Sequence, residues 1–88
     1  MLDFDVLFVS DKRLGCLVRA DEPKYGRVQF LIGHLILIDV LGGGNPVDHK
    51  MNIELCEREQ TRIRAACRQA FKERPNAVIG LQARDFMN

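Results

Sequence analysis

The chain has 88 residues, of which 47% are hydrophobic and 28% are charged, a composition typical of one globular domain with its own core. This composition excludes a disordered segment, since such segments contain too few apolar residues to form a core. Thirteen basic and twelve acidic residues leave a net charge of +1. This net charge is too small for the molecule as a whole to attract nucleic acid or an anionic membrane. We therefore treat residues 1–88 as a single domain whose charged surfaces are local.

The first third of the chain alternates between apolar and polar side chains, which is the periodicity of β-strands. The alternating runs are residues 2–9, 14–20 and 27–32, and the loop before the last run contains Pro23 and Gly26. Short turns between successive strands indicate neighbours in an antiparallel sheet. The sequence therefore predicts a three-stranded antiparallel meander.

The longest predicted element is a helix at residues 52–74, a stretch of good helix formers with no glycine or proline before Pro75. Asn52 is placed to cap its start. After Pro75 the alternation resumes at residues 78–86, which predict a fourth strand that returns to the sheet. The helix has one apolar stripe, which predicts a buried face. The stripe consists of Cys56, Ile63, Ala66, Cys67 and Ala70.

Between the third strand and this helix lies the apolar segment HLILIDVL, residues 34–41, with Gly33 before it and Gly42 after it. A segment that is apolar on nearly every side has neither helical nor strand periodicity. Its branched residues suit a strand, and Gly42 suits the end of a helix. Periodicity alone leaves both interpretations open.

Three features of the chain resemble a family of small bacterial proteins that contain a domain of unknown function, number fourteen-eighty-eight. They are the helical pattern RIRAACRQAF, the following strand that closes in LQARDF, and the upstream segment RVQFLIGHLILIDVLGG. The resemblance covers residues 14–86. The positions that match the family are Arg62, Ile63, Ala66, Asp85 and Phe86.

The resemblance implies a small α+β fold with a short helix at residues 34–41, and it implies no established activity. The chain departs from the family pattern at Ile36 and Leu37, where polar or acidic residues are expected, and at Thr61. Together, periodicity and resemblance predict an α+β fold of the order β-β-β-α-α-β. Its antiparallel sheet of about four strands packs on one long C-terminal amphipathic helix and a short helix.

A short helix at residues 34–41 predicts an interface. Such a helix buries about half of its circumference against its own sheet, so this segment keeps apolar side chains on the side that faces away. An exposed apolar patch on a soluble domain marks an interaction surface, and a two-fold self-contact is the commonest way to cover it. We therefore expect a homodimer. The expected interface residues are Leu35, Ile36, Leu37, Ile38, Val40 and Leu41.

The helix at residues 52–74 also has a basic side, which makes a nucleic-acid-binding module the alternative function. Four glutamates accompany the cations, and no aromatic side chain beyond Tyr25 is evident for stacking bases, since the phenylalanines fit alternating core positions. A solvated helix face is therefore favoured over nucleic-acid binding. The cations of the alternative surface are Arg58, Arg62, Arg64, Arg68 and Lys72.

No motif in the chain predicts catalysis, a cofactor or a metal ion. The segment GGGNP lacks the lysine and the strand-to-helix context of a phosphate-binding loop. The spacing of His34, Asp39, Asp48 and His49 fits no compact metal motif, and Cys16 with either histidine lacks an orienting third group. We therefore expect a non-enzymatic protein that acts through protein–protein contacts.

Three cysteines, an odd number without a C-x-x-C pair, fit neither a disulfide framework nor a zinc site. They predict buried, reduced thiols in a cytoplasmic protein. The N-terminal segment is acidic where an export signal is basic, and the longest uncharged run, which ends at Ile38, is about half the length of a membrane span. We therefore expect a soluble cytoplasmic protein with no membrane partner.

Overall fold

A computed structural model of the chain describes residues 2–5, 8–11, 15–43 and 48–87, and it shows the expected α+β fold. A mostly antiparallel sheet is covered on one face by helices. The described strands are β1 (Asp3–Phe4), β2 (Val9–Asp11), β3 (Gly15–Glu22), β4 (Gly26–Ile32) and β5 (Val78–Gly80), and the helices are α1 (His34–Asp39), α2 (His49–Arg58), α3 (Gln60–Glu73) and a C-terminal 3₁₀ helix (Ala83–Phe86).

The strand β3 is the centre of the sheet. It forms an antiparallel hairpin with β4, and on its other side it pairs with both β1 and β2. The predicted strand at residues 2–9 is therefore two short strands, with residues 6 and 7 outside the described part. β1 pairs Phe4 with Ala20, and β2 pairs Val9 with Leu17. The register of the pairing with β3 therefore shifts by two residues between β1 and β2. A register shift of two residues keeps the alternation of faces, so Phe4 and Phe8 still point towards the core.

The last strand differs from the antiparallel strand predicted at residues 78–86. β5 pairs with β4 in parallel and contains only Val78–Gly80. The chain leaves β4 and returns after crossing the helical layer, and a helical crossover of this kind joins parallel strands. The prediction was wrong in direction and in length, because both depend on where the helices place residue 78.

The core lies between the helices and one face of the sheet. Even-numbered side chains of β3 and β4 point into it, and Phe30 and Ile63 have no exposed surface. The predicted apolar stripe of the long helix is confirmed, because all five of its residues are buried in this core. The odd-numbered residues of β3 and β4 face the other way, and Asp21 and Arg27 among them are exposed. The sheet thus has one apolar face towards the helices, and its other face carries charged residues near the β3–β4 turn and the apolar pair Leu17 and Leu31 further along.

The long predicted helix consists of two helices that meet at Glu59, whose backbone angles are φ −101° and ψ 18°. A straight helix over the 25 residues from His49 to Glu73 would be about 37 Å long. The longest dimension of the molecule is 35 Å, so the break lets both halves follow the sheet. The cap is Asp48, which accepts a hydrogen bond from the backbone N–H of Met51 at 3.0 Å, and not Asn52. No helix in the described ranges is long and apolar enough to cross a bilayer.

The ambiguous segment after β4 is a helix, α1, with Gly33 as its N-cap. Gly42 has a φ of 76°, a left-handed conformation that favours glycine. This conformation turns the chain so that the N–H of Gly43 reaches the carbonyl of Leu37 at 3.0 Å. The rest of the glycine-rich connection, residues 44–47, lies outside the described residues.

A buried ion pair holds the C-terminus against α3. Arg74 donates hydrogen bonds of 3.2 and 2.8 Å to the two carboxylate oxygens of Asp85, which also accepts from the backbone N–H of Gln82 at 2.8 Å. Burial alone would raise the pKa of Asp85. The bonds from Arg74 and Gln82 outweigh burial, and they hold this pKa below its ordinary value.

We predict that Ile63→Asp lowers the free energy of unfolding by about 4 kcal/mol or more, because it places an unpaired charge in an apolar core. The total stability of a domain this size is about 5–15 kcal/mol, so the variant is expected to be largely unfolded. Ala65→Asp is the matched control, since Ala65 lies exposed on the same helix, and its cost is expected to stay below about 1 kcal/mol. Urea unfolding followed by circular dichroism measures both. Similar midpoints for the two variants would contradict this orientation of α3.

We predict that Arg74→Met costs about 1–3 kcal/mol at neutral pH, because it leaves a buried carboxylate without its cation. The low folded pKa of Asp85 means that the pair stabilises above the unfolded pKa of about 3.9, and that this contribution is lost as the pH falls through the folded pKa. The difference from wild type should therefore shrink between about pH 7 and pH 3. Arg58→Met, at an exposed arginine of α2 away from Asp85, is the control. A difference independent of pH would contradict the role of the pair.

Candidate functional site

The structure divides the six residues of the predicted dimer interface into three pairs. Leu37 and Leu41 are buried in the core of the single chain, so the prediction was wrong to place them on an interface. Leu35 and Ile38 face solvent, with 74% and 45% of their surfaces exposed. The remaining two, Ile36 and Val40, are partly buried against the core.

The exposed residues of α1 form one patch with a polar border. Leu35 and Ile38 are three residues apart and therefore neighbours on the helix surface. At the end of α1, Arg62 donates a hydrogen bond to the carbonyl of Val40 at 3.3 Å and pairs with Glu59 at 2.9 Å. The start of α3 thus fixes the position of α1. We call Leu35, Ile36, Ile38 and Val40 the α1 patch.

The five cations of the alternative surface do not act as one group. Arg62 is occupied by Glu59 and Val40, and Arg58 lies at the end of α2 beside Met51 and Glu54. The other three are spaced four residues apart along one side of α3. They are Arg64, Arg68 and Lys72.

Aromatic rings lie beside these three cations, contrary to the expectation that only Tyr25 is accessible. The guanidinium groups of Arg64 and Arg68 lie 5.8 and 5.3 Å from the ring centroid of Phe4 in β1. Further along α3, the ring of Phe71 meets that of Tyr25 edge to face, with centroids 5.6 Å apart. Sequence reasoning assigned the phenylalanines to the core, but Phe4 and Phe71 are only partly buried at its border.

An open cleft of about 390 Å³ lies between these groups, lined by Leu2, Arg68, Phe71 and Lys72. Its volume is in the range of small-ligand sites, which are mostly apolar with a few polar groups at the margin. Here Leu2 and Phe71 supply the apolar wall, and the two cations supply charge. The basic-aromatic cleft is defined by Leu2, Phe4, Tyr25, Arg64, Arg68, Phe71 and Lys72.

One hydroxyl–imidazole contact has the form of a nucleophile and its base. The Oγ of Ser10 lies 2.7 Å from Nδ1 of His49 and joins β2 to the start of α2. Among the described residues, no carboxylate hydrogen-bonds the other ring nitrogen, so the orienting group of a catalytic triad is not formed there. The contact is best explained as a hydrogen bond that holds β2 against α2.

Neither of the other chemical groupings considered from the sequence comes together in the structure. Cys16 contacts the backbone carbonyl of Asn52 at 3.7 Å through its sulfur, and not a histidine. Asp48 caps α2, and His34 begins α1 at a different place in the fold. Within the described ranges, no three His, Cys, Asp or Glu side chains are close enough to hold a metal ion.

The three cysteines are buried, as expected, and none of them forms a disulfide. Cys16 and Cys56 form a thiol–thiol contact between β3 and α2, and this hydrogen bond together with burial raises the pKa of Cys56. Burial also raises the pKa of Cys67. Cys56 and Cys67 therefore serve as small neutral side chains, whereas the contact with Cys56 lowers the pKa of Cys16.

Comparison of the chain with protein-family models, with curated proteins and with solved structures gave no match. The resemblance to the bacterial domain of unknown function thus stays a prediction. The function must be inferred from the α1 patch and the basic-aromatic cleft themselves.

We predict that the folded protein does not react with Ellman's reagent and that all three thiols react after denaturation. The thiolate is the reactive form, and all three sulfurs are buried away from the reagent. Absorbance at the thionitrobenzoate maximum, with and without urea, gives the number of reactive thiols. One thiol per chain that titrates under native conditions would contradict the described packing.

Proposed function

We propose that the protein is a non-enzymatic module that acts through protein–protein contacts and that it forms a homodimer through the α1 patch. The observation that carries this proposal is the exposure of Leu35, whose side chain is among the most exposed apolar ones described. Single exposed apolar residues are normal on protein surfaces. Adjacent ones on one short helix are typical of an interaction surface.

The position of the α1 patch supports a self-contact. Within one turn of α1, Leu37 points into the core while Leu35 and Ile38 point away from it. The inner side of the helix packs in the core, but nothing in the described part of the chain covers the apolar outer side. In a two-fold contact, the same patch on a second copy supplies the matching apolar surface.

The size of the patch indicates a moderate affinity. A six-residue helix is about 9 Å long, whereas a stable interface buries about 800 Å² on each partner. The α1 patch can therefore supply the apolar centre of an interface, but neighbouring surfaces must supply its border. Asp39 and Arg62 are placed to do this, because interface borders are polar. We infer a dimer that forms at micromolar concentration.

We propose a cytoplasmic location for this dimer. The thiols of Cys16 and Cys56 lie together and reduced, and Cys67 is free as well. Free thiols are the rule in reducing compartments, whereas exported proteins oxidise theirs. This support comes from the chemistry of the cysteines alone.

We predict that wild-type protein at micromolar concentration has a mass of about 20 kDa by light scattering, twice the chain mass of 10.0 kDa. Leu35→Glu should give a folded monomer, because the two-fold contact would bring two carboxylates together in an apolar centre. Met87→Glu is the matched control, since Met87 is 78% exposed and lies outside α1, after the C-terminal 3₁₀ helix. It should remain dimeric.

The wild-type protein is measured first, because a mass near 10 kDa would contradict the homodimer. If Leu35→Glu stays dimeric with an unchanged melting temperature, the interface is not at α1. Leu37 is unsuitable for this test because it is fully buried, and a charge there would unfold the chain rather than separate two copies.

A further inference from the structure

The cations of the basic-aromatic cleft lack acidic partners. Arg64, Arg68 and Lys72 are four residues apart on α3, which places them about 6 Å apart along the helix axis. Over the part of the chain that the structure describes, no carboxylate lies within ion-pairing distance of any of the three. Neighbouring arginines differ in this respect, since Arg62 and Arg74 are both paired. A row of unneutralised cations is free to bind an anion with regularly spaced charges.

Asp5, which follows Phe4 in the chain, is held on the other face of the sheet together with Asp21. Asp5 and Asp21 both pair with Arg27, whose guanidinium donates to each. Alternation along β1 turns Phe4 to the helical side and its acidic neighbours away from it. The sheet thus separates a negative group on one face from the positive group at the cleft.

The aromatic rings are held in place before any ligand binds. Phe4 packs on Phe30 of the core with ring centroids 6.3 Å apart, and the two arginines lie over it. An arginine stacked on a ring keeps its N–H donors directed outwards in the plane of the guanidinium. In the β3–β4 turn, the carboxylate of Glu22 accepts the backbone N–H of Tyr25 at 2.6 Å and so fixes the turn that presents this ring.

We propose that the basic-aromatic cleft binds single-stranded nucleic acid. The phosphates lie along Arg64, Arg68 and Lys72, and one base enters the cleft against Leu2 and Phe71 beside Tyr25. Binding of a single strand combines a positive groove that follows the backbone with aromatic rings that stack bases, and both are present here. The proposal uses no residue of the α1 patch and does not depend on the homodimer.

Two other anionic partners fit these residues less well. An acidic peptide supplies charge but no flat ring to fill the apolar part of the cleft. A membrane surface needs apolar side chains that protrude, whereas Leu2 and Phe71 line a concave cleft and are only partly exposed. A nucleotide strand supplies both spaced charges and flat rings, so its chemistry matches both halves of the site.

Fluorescence anisotropy of a labelled twelve-residue oligothymidylate tests the proposal on the full chain. A single strand contributes about −0.7 per neutralised phosphate to the slope of log affinity against log salt, so three contacts predict a slope near −2. Binding should accordingly weaken about twentyfold between about 50 and 200 mM salt. The melting temperature of each variant shows that it is folded.

Substitutions separate the cleft from the general charge of the helices. Arg68→Gln should weaken binding about tenfold, because it removes a charge-assisted contact, and should reduce the salt slope. Arg58→Gln removes the same charge from the end of α2, outside the cleft, and should leave the affinity within about twofold. Phe71→Leu keeps an apolar side chain but removes the ring, and a loss of about tenfold is expected from lost stacking. Arg68 is exposed, so Arg68→Gln remains decisive even if Phe71→Leu is unstable.

Three results would each overturn the proposal. The first is no binding of the oligonucleotide by wild-type protein at about 50 mM salt, where electrostatic binding is strong. The second is an equal loss for Arg58→Gln and Arg68→Gln, which would place the contact outside the cleft. The third is competition by a twelve-residue polyglutamate as effective as that by unlabelled oligothymidylate, which would show that charge alone is bound.

Discussion

The packing of α3 in one core with the β3–β4 hairpin is the interaction on which the rest of the structure depends. Ile63, Cys67 and Ala70 are buried together with the even-numbered side chains of the two central strands. Cys67 and Ala70 are small core residues of α3, and Ile63 is the largest buried side chain of this helix. The hairpin supplies a continuous apolar face only because its register pairs even residues with even residues, as at Val18 and Phe30. A shift of one strand by one residue would turn its odd-numbered side chains, such as Asp21 or Arg27, towards the core.

Both candidate surfaces are consequences of this one-sided arrangement. Because helices cover a single face, the strand β1 at the margin of the sheet places Phe4 directly beneath the arginines of α3. The same helix begins at the end of α1, where Arg62 contacts the carbonyl of Val40. The basic-aromatic cleft and the α1 patch are thus two borders of one layer, and α3 takes part in both. A substitution inside the core would disturb both surfaces, whereas exposed substitutions can test them separately.

The inner and outer sides of α1 show how tertiary packing places residues of a segment without periodicity in different environments. Leu35 and Leu37 are chemically identical, yet one is 74% exposed and the other has no exposed surface. Only the direction in which the helix enters the layer distinguishes them. Burial of the Leu37 side chain stabilises the fold of the single chain. Burial of the Leu35 side chain would contribute hydrophobic free energy only on contact with another surface.

Periodicity in the sequence alone determined the helix–sheet architecture, the strands at β3 and β4, and the buried stripe of α3, because local alternation and helical spacing reflect which face meets the core. The sequence also indicated the cations of α3. It did not reveal the break at Glu59, because glutamate is a good helix former and the break follows from the size of the sheet. The parallel direction of β5 and the position of Phe4 beneath Arg64 and Arg68 were likewise decided by tertiary structure. The last two features join residues 49 or more positions apart, and only the packed core brings such residues together.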